Sequence, residues 1–147
     1  MGIEIFPRPL HPLIVHFPIA LLFFAGGLLA YFCFRPDQHW WTFRLLFMGG
    51  MAGFLLAMLS GTIDETWSIQ NEAQHELVEQ HELMAYVNLT LFAGLGAWMY
   101  LRPQGFGPIE LRWYTLAFWL ALATVAYGAH LGGDMVYEMG VAVEVDP

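Results

Sequence analysis

Lysine is missing from the 147-residue sequence, and arginine occurs only five times against thirteen acidic residues. A chain with so few cations has no electrostatic footprint for nucleic acid. Charged residues of either sign make up 12%, about half the share usual for a soluble domain. One cysteine, Cys33, excludes a disulfide framework and any cysteine-rich zinc or iron–sulfur site. There is no HExxH helix, nucleophile elbow, P-loop or dinucleotide fingerprint, so hydrolytic and nucleotide chemistry lack visible machinery. What is abundant is apolar: 58% hydrophobic residues, 16% aromatics and a mean hydropathy of +0.53. That excludes a disordered tail and points to an integral membrane protein.

Four runs free of Asp, Glu, Lys and Arg approach or reach the roughly 20 residues a helix needs to cross the hydrocarbon core. They cover Leu13–Phe34, Leu45–Ser60 (continued by Gly61, Thr62 and Ile63), Leu83–Leu101 and Trp113–His130. The expected fold is all-α, a single four-span transmembrane bundle over residues 1–147. Small residues at helical spacing mark close helix approaches: Gly26/Ala30, Gly49/Gly53, Ala93/Ala97, Ala117/Ala121 and Gly128/Gly132. Arg35 and Arg44 flank the first connection, Arg102 and Arg112 the third. Arginine is retained on the cytoplasmic side, so both of these connections are expected inside and both termini on the outer, periplasmic side. Trp40, Trp41, Trp98, Trp113, Tyr31, Tyr100 and Tyr114 fall near that inner boundary, where an aromatic belt belongs. The first span lacks a basic leader and is too long for a cleavable signal peptide.

This topology gathers eleven acids outside (Glu4, Asp64, Glu65, Glu72, Glu76, Glu79, Glu82, Asp134, Glu138, Glu144 and Asp146) against Arg8, and leaves Asp37 and Glu110 inside. The bland reading is an outer surface kept soluble by its acids. The sharper one is a field that steers a basic soluble electron carrier.

Five of the six histidines also map to the outer half, His39 being the exception. His11 precedes Pro12, a favourable first helical residue. His16 follows five residues in, roughly 7 Å along the axis, and Pro18 leaves the carbonyl of Ile14 without its usual donor. On a helical wheel Glu72, Glu76, Glu79 and Glu82 form an acidic stripe with His75 beside it. His81 lies opposite with Ala73, Leu77, Met84 and Asn88, aimed into the bundle. His130 closes the fourth span. The inward set His16, His81 and His130 suggests a cofactor site: two imidazoles on facing helices can take both axial positions of a b-type haem. His16 with His81 is the expected pair and His130 the reserve. His11, His16, His81 and Asp64 could instead hold a bare transition-metal ion, or Asp64 could orient a ligand histidine. A third reading is a cofactor-free structural subunit, with histidines satisfying backbone carbonyls at Pro18 and the helix ends.

The opening His11-Pro12-Leu13-Ile14-Val15-His16-Phe17-Pro18-Ile19-Ala20-Leu21 resembles the signature of a bacterial membrane family known only as domain of unknown function 2231. Gly61 and Asp64 at the end of the second span and His81 at the start of the third match as well. So does the run Gly132-Gly133-Asp134-Met135-Val136-Tyr137-Glu138-Met139-Gly140-Val141-Ala142-Val143, from which Met135 and Ala142 depart conservatively. The resemblance implies a four-helix domain in a bacterial inner membrane. It also implies kinship with proteins joined to cytochrome c-like domains, hence a place in a redox chain. His11, His16, Asp64 and His81 lie in its motifs; His130 rests on its position at a helix end alone. The expected function is a membrane electron carrier or redox-complex subunit rather than a stand-alone enzyme. A second span without histidine argues against two bis-histidine haems.

Overall fold

The computed structural model describes residues 10–35, 39–68 and 71–141, and the side chains of these except 66–68. Glu4, Arg8, Asp37, Ala142, Val143, Glu144 and Asp146 lie outside the described residues. Four helices account for nearly all the rest: α1 (His11–Phe32), α2 (Trp40–Ser68), α3 (Glu72–Tyr100) and α4 (Pro108–Tyr137). Each is long and apolar enough to span a membrane. Apart from α1 they overrun the expected spans. At 1.5 Å per residue, the 29 residues of α2 reach about 43 Å, well beyond a 30 Å hydrocarbon core. The polar stretch Glu72–Glu82 is simply the projecting part of α3.

Helix α1 packs against α2 and α4, and α3 against α4. The glycines of α2 set the first contact: a Cβ on Gly50 would stand 2.8 Å from the Leu22 side chain, and one on Gly53 would stand 3.2 Å from Pro18. Gly26 makes the α1–α4 approach, where a Cβ would meet Leu122 at 2.7 Å. Close backbone contact of this kind is what holds helices together in lipid. The pair Ala93/Ala97 is exposed instead, and Gly96 of α3 takes the packing role, against the Phe47 ring.

The arginine end of the bundle is aromatic. Phe43, Phe47, Phe92, Phe106, Tyr114 and Phe118 form one buried cluster, with Phe106 stacked on Tyr114 at 4.3 Å between centroids. The Tyr114 hydroxyl donates to the carbonyl of Leu95 at 3.1 Å, which lets a tyrosine sit fully buried. The expected belt therefore divides. Trp41, Trp113, Tyr31 and Tyr100 face outward, whereas Tyr114 is core and Trp40 and Trp98 pack partly against it. Gly105, at φ +95°, carries the third connection tight beneath the Trp40 indole. The Arg44 guanidinium donates to the carbonyls of Arg102 and Pro103 at 2.9 and 2.8 Å, tying α2 to that connection. Arg102 and the Trp98 indole N–H both donate to Glu110, each at 2.9 Å.

Candidate functional site

The opposite end of the bundle is polar inside. Ser60, Asp64, Gln74 and Asn88 are all buried there or just below. Asp64 stands in the last turns of α2, and its Oδ2 accepts from the backbone N–H of His11 at 2.7 Å. His11 is the first residue of α1, so this carboxylate caps a helix that has no capping side chain of its own. It also places a negative charge where the helix dipole is positive. The second carboxylate oxygen, Oδ1, is buried and has no partner among the described residues. A buried acceptor left unmatched is costly, of order 1–3 kcal/mol.

Beside Asp64 lies a pair of imidazoles. His11 Nδ1 lies 2.7 Å from the carbonyl oxygen of Ala57, with the Ser60 hydroxyl 3.4 Å away and itself donating to Ala57. His81 Nδ1 lies 3.0 Å from the carbonyl oxygen of Gly128. Carbonyl oxygens only accept, so both rings must carry their proton on Nδ1. In the neutral form each imidazole is then left with an Nε2 lone pair. The two rings meet edge to face, 5.9 Å between centroids and 87° between planes. Glycines make this possible: a Cβ on Gly61 would stand 3.2 Å from His11, and one on Gly132 would stand 3.3 Å from His81.

His16 and His130 do not join them. His16 sits five residues after His11, about 140° further round the helix, and is exposed; its Nδ1–H bonds the Pro12 carbonyl of its own helix at 2.7 Å. It therefore satisfies a backbone group, though not the Ile14 carbonyl freed by Pro18. Gly128 and Gly132 form the face of α4 that receives His81, and His130 falls midway between them in sequence, on the other side. It is 71% exposed and lies 3.6 Å from Asp134, one turn on. Neither residue meets His81 as the axial partner expected from the sequence, because depth along a helix does not fix the angle around it. Of the four-residue metal set, His11 and His81 come together beside Asp64 and His16 stays apart; among the described residues no group of three or more His, Cys, Asp or Glu side chains forms a ready ligand set. Asp64 acts on the backbone of His11 rather than on an imidazole.

The wheel for α3 is right about His81, Asn88 and three of the four acids, Glu82 being half-buried. His75 is exposed and lies 3.5 Å from Glu79, and Glu72, Glu76 and Glu79 face outward. The buried line runs through Gln74 and Val78 rather than Ala73. Gln74 escaped notice because a lone glutamine in an acidic stretch carries no apolar signal. Its side chain donates to the Met139 carbonyl at 2.9 Å and so fastens the turn after α4 over the start of α3. Asn88 accepts from the Thr124 hydroxyl at 2.6 Å, a polar link between α3 and α4 one step deeper.

The His-Pro opening, Asp64 and His81 thus meet at one place, and they are the motifs that carry the family likeness. The family described as "Predicted membrane protein (DUF2231)" matches residues 7–145. The chain belongs to this family. No curated protein and no solved structure matches it. This DUF2231 protein is therefore a membrane protein of four apolar helices, with a bilayer as its surroundings.

Proposed function

We propose that this DUF2231 protein binds a transition-metal ion through the Nε2 atoms of His11 and His81, with Asp64 supplying compensating charge and water the remaining ligands. The observation that carries the reading is that both Nδ1 atoms sit on backbone carbonyls. Metal-bound histidines characteristically donate their second nitrogen to a carbonyl or carboxylate, which aims the ring and raises its basicity. Both rings here do so, from different helices, beside a buried carboxylate oxygen with no described partner. Imidazole suits zinc, copper and iron. Copper or iron at this point gives the protein the electron-carrying role suggested by its sequence, while zinc gives a structural one.

In a bacterial inner membrane, the reading suggested by the family resemblance, the arginine rule favours a periplasmic position for the histidine end. The outward acids of α3 at that end then favour approach of a basic soluble carrier. Elemental analysis and an optical spectrum of the same detergent-solubilised sample test the proposal. About one equivalent of metal without porphyrin absorbance is expected, lost in His11→Ala and His81→Ala. A porphyrin spectrum replaces the bare ion with a haem; neither metal nor haem after expression in supplemented medium overturns both.

A further inference from the structure

The arginine end carries four arginines among the described residues, and they divide into two kinds. Arg44 and Arg102 are engaged with the protein, on the third connection and on Glu110. Arg35 and Arg112 make no hydrogen bond or ion pair with any described residue, yet they line the same cavity. This cavity, about 230 Å³, lies between the end of α1 and the start of α4 and is bounded by Phe32, Phe34, Leu111 and Pro108. Cys33 also lines it, its Sγ 3.5 Å from the Thr115 hydroxyl. Two guanidiniums with no ion-pair partner among the described residues, over an aromatic wall at the level where a membrane helix ends, form a site for a phosphate bearing hydrocarbon. Guanidinium binds phosphate through paired N–H donors. The same two helices continue into the membrane as an apolar surface. About 12 Å deeper, Phe23 and Trp119, both outward-facing, meet edge to face at 6.3 Å.

We propose that this cavity holds the headgroup of an anionic phospholipid, with its phosphate on Arg35 and Arg112 and its acyl chains along α1 and α4. Basic pockets between helix ends are the usual receptors for such headgroups. The site is independent of the histidine centre at the other end of the bundle.

Native mass spectrometry of the full chain in detergent, with phosphatidylglycerol or phosphatidylcholine added at matched concentrations, tests it. Wild-type protein should retain phosphatidylglycerol preferentially. Arg35→Gln and Arg112→Gln should each weaken that preference about fivefold, and together abolish it. Arg35→Lys with Arg112→Lys should restore part of it, because charge survives while the planar fork is lost. Far-ultraviolet circular dichroism of each variant reports whether the helices are intact. Equal retention of the two lipids by the wild type overturns the proposal, as does an undiminished preference in a folded double glutamine variant. So does displacement of both lipids alike by millimolar inorganic phosphate, which marks a site for the free ion.

Discussion

At the scale of single residues, the histidine end depends on which side-chain atoms are already committed. His11 and His81 each use Nδ1 on a carbonyl and keep Nε2; His16 does the same but faces outward. Replacing His11 or His81 by alanine should therefore weaken metal binding by more than the roughly 10–100-fold that loss of an outer-shell partner costs. His16→Ala and His130→Ala should leave it unchanged. Titration with a competing chelator distinguishes these outcomes. Asp64 combines two duties that substitution can separate. Asp64→Ala removes the cap of α1 and should cost about 1–2 kcal/mol, read as a lower thermal midpoint in detergent. Asp64→Asn keeps an acceptor for the His11 N–H but not the charge, so it should recover most of the stability while metal affinity stays low. The sequence grouped His11, Asp64 and His81 with His16 as one ligand set, or made Asp64 the orienter of a ligand histidine. It could not show that Asp64 meets the backbone of His11, because a contact across 53 positions leaves no local pattern.

The elements themselves were legible, since four long apolar runs, with arginines at the first and third connections but not the second, admit few other arrangements. Their ends were legible only in part. Hydropathy reports where a helix meets lipid and so stops short, whereas the helical wheel already carried α3 back to Glu72, eleven residues before the apolar stretch, where the helix does begin. Small-residue spacing identified the Gly53 and Gly26 approaches but also Ala93/Ala97, which face outward. Spacing gives a stripe on a helix without saying what lies opposite. One connection has a requirement that follows from its backbone. Gly105 combines a positive φ with the face of Trp40, so Gly105→Ala introduces both backbone strain, of order 1–3 kcal/mol, and a collision with the indole. The expected result is a lower melting temperature together with red-shifted tryptophan emission, as the indole is pushed from its place against Phe32 and Phe106.

Taken whole, the molecule is polarised along its length. Stacked aromatic rings and arginines occupy one end; a buried carboxylate, amides and imidazoles occupy the other, with an apolar girdle between. Sidedness is open to direct measurement. In a Cys33→Ser background, Glu76→Cys should react with a membrane-impermeant maleimide added to the periplasmic side, and Gln104→Cys only from the cytoplasmic side. The reverse labelling would invert the bundle. The Asp64–His11 bond also has a bearing on synthesis. The first helix emerges from the ribosome with its leading amide unmatched, and the carboxylate that completes it arrives only after the second helix has been almost entirely made. Until then the amino-terminal end of α1 has to borrow water or lipid headgroups, so it should be the last part of the opening hairpin to settle. A nascent chain arrested with Asp64 still in the exit tunnel should leave His11 open to proton exchange, and one arrested after that residue has docked should protect it.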